Sequence, residues 1–240
     1  MVKFYENSFS YDYQWPAVTL AYFLRYPNPY SKHVVSSDTL SSQLDPQTGN
    51  LHVTRLHLKR GKLPASLARF LPKIKESYIL EKSIVDVRSQ RLETETRNLD
   101  WEGVLSVVES QVYTPGNDST ASGLEAPVAG AGKTDVTTVV RFESRLGGAA
   151  RNTQSDGMTG EGVKDGWFLG WTTSSVQGSI ELVGVRRMRE GFGRRREGMK
   201  VVLEQLRERG FVGVINEQRQ GGWERWKKVW RGEGVERMDD

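Results

Sequence analysis

The chain has 240 residues, 37% of them hydrophobic and 27% charged, which is enough to bury one sizeable core and excludes a disordered chain. It has no cysteine, which excludes thiol catalysis, cysteine-ligated zinc and internal disulfides. The formal net charge is only +4, but Arg186 to Asp240 carries 15 Lys+Arg against 10 Asp+Glu, so the last stretch could face an anionic partner, or simply water.

No apolar run approaches the roughly 20 residues of a membrane span. The opening "MVKFYENSFS" reads neither as a secretory signal nor as a cleaved presequence. Alternating aromatics in "KFYENSFSYDY" predict a first strand. A helix follows in "QWPAVTLAYFL", with Pro16 in its first turn and Ala17, Leu20, Ala21 and Leu24 at helical spacing. It must stop before "RYPNPY", because a residue that precedes proline is pushed out of the helical region.

Strands then come in series. "HVVSSDTLSSQL" and "LHVTRLHLK" flank the turn chemistry of "DPQTGN", and "SYILEKSIVDV" and "RLETETRNLD" flank "RSQ". "LSVVESQVY" and "TTVVRFESRL" complete a set of about seven. Between the third and fourth, "GKLPASLARFLPK" sets Leu63, Leu67, Phe70 and Leu71 on one face between Pro64 and Pro72. This short piece is either a lid or a helix packed on the core. Two Gly/Ser-rich stretches, about 115–135 and 147–165, read as loops inserted in one domain. From Thr173 to Arg209 the period becomes helical, with a stripe running from Val176 through Phe192 and Met199 to Leu206. The sum is an α+β fold: an antiparallel sheet, a short early helix, and a long helix laid across the sheet. Residues 1–209 form the domain and 210–240 a Trp-rich basic tail.

The candidate chemistry is sparse. "VAGAGKT" imitates a phosphate-binding loop, but Pro127 stands where its first glycine belongs, and a strand rather than a helix follows. His52 and His57 lie five apart on a strand, so they point to opposite faces and cannot share a metal. No catalytic constellation and no metal site emerges. In "VRRMREGFGRRREG", Arg187 and Arg194 lie seven apart, beside the apolar stripe, while Arg195 and Arg196 are expected to point elsewhere. No nucleic-acid-binding motif accompanies this run. In the tail, Trp223, Trp226 and Trp230 share a helix face beside Lys227 and Lys228. That composition suits either a membrane interface or a helix docked on protein.

Five segments together resemble the PRELI/Ups family of mitochondrial phospholipid-transfer proteins: "RYPNPYSKHV" at 25–34, "TRLHLKRGKLP" at 54–64, "ILEKSIVDV" at 79–87, "TRNLD" at 96–100 and "REGMKVVLEQL" at 196–206. The resemblance covers roughly 1–114 and, more loosely, 174–209, and is nearest the branch that carries phosphatidic acid. It implies a curved sheet around an apolar lipid cavity, closed by the long helix, with a lid at Gly61 to Leu71. It implies a non-enzymatic carrier without cofactor in the mitochondrial intermembrane space, feeding cardiolipin synthesis. It also implies a small helical partner with twin cysteine motifs, and contact with anionic membrane surfaces rather than nucleic acid. The positions that match the family's headgroup site are Arg25, His33, Lys59, Lys62, Arg187 and Arg194. On this reading Arg25→Glu abolishes transfer and leaves the fold intact. Phosphatidylserine as cargo, a basic nucleic-acid-binding or scaffold module, and a lipid-modifying enzyme are the alternatives.

Overall fold

The computed structural model describes residues 2–61, 76–100, 102, 105–116, 132–144 and 173–230, and in the last span the side chains of 191–219. Seven strands form one antiparallel sheet: β1 (Val2–Tyr11), β2 (Val34–Leu44), β3 (Leu51–Arg60), β4 (Glu76–Asp86), β5 (Arg91–Asn98), β6 (Leu105–Pro115) and β7 (Thr134–Ser144), in spatial order β1-β7-β6-β5-β4-β3-β2. The first strand lies at one edge because it pairs with the last, from Val2 opposite Glu143 to Tyr11 opposite Thr134.

Turn chemistry sets the registers. The Asp45 carboxylate accepts from the Gln47 amide at 2.9 Å and the Thr48 hydroxyl at 2.6 Å, and Gly49 takes the positive φ of 75° that closes β2 on β3. Asp86 does the same between β4 and β5 by accepting from the amides of Arg88 and Ser89. The insertion after β6 does not break the sheet: Gly116 N donates to Lys133 O at 2.7 Å, closing the hairpin at the insertion's base. The sheet therefore reaches further than its sequence suggests, with Pro115, Thr134 and Asp135 inside strands rather than in the loop.

Helix α1 (Trp15–Leu24) is buried on nearly every side, at Trp15, Ala17, Val18, Thr19, Ala21 and Tyr22. Such a helix must lie between two layers. Below it, Trp15 Nε1 donates to Tyr113 O at 3.2 Å. Above it runs α2 (Thr173–Trp230), whose Met199, Val202 and Leu203 join Val18, Tyr22, Leu92 and Val136 in the main core. A second apolar cluster, Val140, Phe142 and Phe192, lies further along α2.

Two glycines shape α2. Gly210, at φ 67° and ψ 177°, kinks it in a conformation that essentially only glycine adopts. The chain beyond the kink is not a loose tail at its start: Val214 is 2% exposed, and Gln218 Nε2 donates to the carbonyl of Leu24 at 2.7 Å. That carbonyl belongs to the last turn of α1 and has no partner within its own helix. Gly198 has a different task. A Cβ there would sit 2.8 Å from Asn28 Oδ1, and Asn28 is held by hydrogen bonds to Tyr30 N and Arg25 O.

Because Asn28 cannot yield, Gly198→Ala is expected to cost about 1–3 kcal/mol of overpacking, against at most about 1 kcal/mol of helix propensity regained. Gly191, with nothing within 4 Å of its Cβ position, shows propensity alone. In thermal melts Gly198→Ala should lower Tm by a few degrees and Gly191→Ala should raise it.

Candidate functional site

The site starts from strand alternation. Arg55 and His57 share the inner face of β3 with Val53, and Glu81 shares the inner face of β4 with Ser83 and Val85. Arg55 lies directly opposite Glu81 in the register. Its Nε donates to Glu81 Oε1 at 2.7 Å, its Nη2 reaches the same oxygen, and its Nη1 donates to Phe23 O at 2.9 Å. From above, Arg25 at the end of α1 donates to Glu81 Oε2, and His57 Nε2 meets that oxygen at 3.1 Å. Arg25 Nη1 also donates to Tyr22 O at 2.6 Å, and its guanidinium lies 3.7 Å from the centre of the Tyr22 ring. The "RYPNPY" turn fixes this arginine through Asn28, whose side chain holds the Arg25 carbonyl.

Glu81 is 0% exposed. Burial pushes its carboxyl up, but Arg25, the hydrogen bond from His57, and Arg55 outweigh burial and hold it well below the usual range. His57 goes the other way, and burial keeps it neutral to lower pH than usual despite Glu81. Its Nδ1 is buried and has no partner among the described residues. Protonation would therefore add a second N–H with nothing among them to accept it.

Beside this network, between α2 and the sheet, lies a hollow of about 50 Å³. Arg25, Lys59, Arg195 and Arg196 line it, with Glu109 as the one carboxylate among the lining residues. Phe9, Ile79, Phe192 and Met199 supply its apolar walls. Arg195 Nη1 meets both oxygens of Glu109, at 2.8 and 2.6 Å, and so ties α2 to β6. Arg196 reaches Ser10 O at 3.2 Å. The positive potential shows at Tyr26. Burial would raise its phenol, but Arg25 above all, with Lys59 and Arg195, holds it below its ordinary value.

Of the six expected headgroup residues, Arg25 and Lys59 line the hollow. His33 and Arg194 are exposed and stand outside its lining. Partial desolvation of the His33 ring, then Lys59, Arg194 and Arg195, hold its imidazole below its usual pKa although the residue reaches the surface, so these cations sit within one field. Lys62 and the lid residues Leu63, Leu67, Phe70 and Leu71 lie outside the described residues, as do the side chains of Arg187, Trp223, Trp226 and Trp230. Gly61 follows β3, with none of the described residues within 4 Å of its Cβ position.

Two expectations change. The arginine that α2 turns inward is Arg195, with Arg196 beside it, not Arg194. At about 100° per residue, Arg195 falls within the Phe192–Met199 stripe and Arg194 nearly opposite it. The hollow among the described residues is small and rich in polar side chains, while the lid and the first side chains of α2, expected to bound the apolar cavity, lie outside the described residues. Arg25→Glu is not neutral to the fold, since it would press a second carboxylate against buried Glu81. Sequence reasoning missed Arg55, His57, Glu81 and Glu109. The signal was available: opposite charges at core positions of paired strands. Among the described residues no cluster suits a metal ion.

The model of the PRELI-like family matches residues 16–146. "Protein UPS1, mitochondrial" of Saccharomyces cerevisiae is 43% identical over 113 residues, 47% of this chain and 64% of that protein. More than a third of that relative's length therefore lies outside the match. "Protein ups1 homolog" of Schizosaccharomyces pombe is 38% identical over 55% of this chain and 70% of its own. Human "PRELI domain-containing protein 1, mitochondrial" is 31% identical over 66% and 68%. Among solved structures, Ara h 8.0201 superposes with a TM-score of 0.40 at 10% identity, covering 85% of this chain and 99% of its own.

Glu81→Gln leaves two buried guanidinium groups without their counter-charge and should cost about 3–5 kcal/mol in urea unfolding. The pH dependence follows from His57. Its folded pKa lies below the unfolded one, so near pH 6.5 the unfolded chain binds more protons and stability rises with pH. Stability should therefore fall as pH drops from about 7.5 to 5.5, by at most about 1.4 kcal/mol per pH unit for each such histidine. Urea titrations of His57→Gln across that range should show a shallower slope, with His33 carrying the remainder.

Proposed function

The chain belongs to the PRELI-like family, and on that footing we propose that it is a non-enzymatic carrier of phosphatidic acid between mitochondrial membranes. The observation that carries this reading is the hollow itself, four cationic side chains around a phosphate-sized space with one carboxylate. A phosphomonoester is compact and up to doubly charged, and several converging donors, arginines foremost, are what its recognition needs.

Desorbing a two-chain phospholipid exposes about 30 methylenes at ~0.8 kcal/mol each, on the order of 20 kcal/mol. Headgroup contacts worth a few kcal/mol each cannot offset that. The acyl chains must therefore be enclosed elsewhere than in the described hollow. In this reading they lie toward residues 61–71, which act as the lid, and the first part of α2. Lys62 and Arg187 add charge around the headgroup, and Trp223, Trp226 and Trp230 meet the anionic membrane surface. The carrier works in the intermembrane space beside a small helical partner with twin cysteine motifs, and its flux supplies cardiolipin synthesis. The relatives named as mitochondrial support the compartment.

Transfer between vesicles of fluorescent phosphatidic acid, set against phosphatidylserine, tests this. Phosphatidic acid should move faster, and Lys59→Glu should slow it roughly tenfold or more at unchanged thermal stability. Faster movement of phosphatidylserine would overturn the cargo. No movement of either lipid, or conversion of one into a new species, would overturn the carrier.

A further inference from the structure

The two inner carboxylates are not equivalent. Glu81 is met by Arg25, Arg55 and His57, and all four belong to the sheet or to the end of α1. Both of its oxygens are occupied, Oε1 by Arg55 and Oε2 by Arg25 and His57. Glu109 depends on Arg195, with Gln111 Nε2 donating at 3.0 Å. Arg195 approaches through a single nitrogen that serves both oxygens, rather than as the fork that makes arginine–carboxylate pairs strong. Its side chain is 31% exposed while that of Glu109 is 7% exposed. The arginine rides on α2 and the carboxylate on β6, so the contact spans two elements that need not move together. Both residues line the same hollow, which holds Arg25, Lys59 and Arg196 as well.

We infer that Glu109 is the release residue of the anion site. It occupies Arg195 while the hollow is empty and competes for it with a bound phosphomonoester. A carrier must let go. Four cations in a half-buried space would retain a dianion, because Coulomb attraction grows as water is excluded. A carboxylate within reach of one of them supplies an alternative partner at the moment of departure and repels the bound phosphate until then. Exchange of Arg195 between Glu109 and phosphate makes binding reversible without any change in the rigid Glu81 network. This inference rests on the carrier reading for its biological setting and on the hollow alone for its chemistry.

Calorimetric titration of sn-glycerol 3-phosphate into the full chain tests the chemistry apart from the setting. Glu109→Gln keeps a hydrogen-bonding side chain of the same size and should bind at least tenfold tighter than wild type, whereas Arg195→Gln should bind at least tenfold more weakly. In vesicle assays Glu109→Gln should extract phosphatidic acid as well as wild type but deliver it several-fold more slowly. A mere latch between α2 and β6 would instead lower extraction and delivery together. In the wild-type protein the Arg195 Nε–H resonance should shift as glycerol 3-phosphate saturates, a readout that needs no variant to fold. An unmoved resonance, unchanged or weaker affinity in Glu109→Gln, or no binding to either protein would overturn the inference. If wild type moves no lipid while Glu109→Gln still binds glycerol 3-phosphate more tightly, the carrier reading falls and the anion site stands. If wild type transfers lipid and Glu109→Gln changes nothing, the reverse holds.

Discussion

A carboxylate cut off from water stays charged only if other donors replace its hydration shell, and in this fold that exchange is made at Glu81. Two guanidinium groups and an imidazole converge on it from β3 and from the end of α1. Removing Glu81 would leave two buried guanidinium groups uncompensated, which costs more than the network itself contributes. The network therefore sets geometry more than it adds stability. It fixes where α1 ends relative to the sheet, because Arg55 and Arg25 also hold the carbonyls of Phe23 and Tyr22. The turn after Arg25 inherits that position, and Gly198 of α2 packs on the turn through Asn28. The placement of the long helix over the hollow thus follows, contact by contact, from one buried anion.

The core is arranged around this polar centre rather than through it. One apolar cluster gathers under α1 and the middle of α2, and a smaller one holds Phe192 against Val140 and Phe142. Between them the sheet presents Glu109, Gln111 and Thr96 to the hollow. A packed apolar interior at that point would be more stable and would have no room for a ligand. Tyr22, Ser83 and Thr94 bring buried hydroxyls together near the centre, and Ser83 faces Thr94 across the β4–β5 ladder. The interior is therefore polar as well as charged beside the hollow.

Strand alternation and turn residues made the sheet legible, since period-2 patterns and Asp-, Asn- and Gly-bearing turns are local signals. The early helix was legible for the same reason. Less legible was any feature that depends on what lies across a layer. The inward face of β3 carries Arg55 and His57 where alternation demands apolar residues, and only the facing Glu81 explains them. The orientation of Arg195 was within reach, because its angle relative to Phe192 and Met199 follows from helical geometry alone. Family resemblance pointed to Arg194, whereas the stripe selects its neighbour. The docking of Gln218 on α1 could not be read from the local sequence of the tail. Its cause is an orphan carbonyl on a helix far away in sequence.

Hydrocarbon burial and headgroup recognition place opposite demands on one cavity. The chains contribute nearly all of the roughly 20 kcal/mol that desorption requires, and they do so without distinguishing one phospholipid from another. Charged contacts contribute little net affinity, since each must first be stripped of water. Discrimination, however, rests with them, because an unpaired charge in a half-buried site is costly. Four cations and one carboxylate around about 50 Å³ are too few to hold a lipid in the absence of its chains, yet sufficient to penalise a neutral headgroup. A carboxylate in such a site lowers affinity, and that reduction is useful wherever the ligand must leave as readily as it enters. In the proposed carrier the polar hollow selects the headgroup, and a separate apolar enclosure solvates the chains.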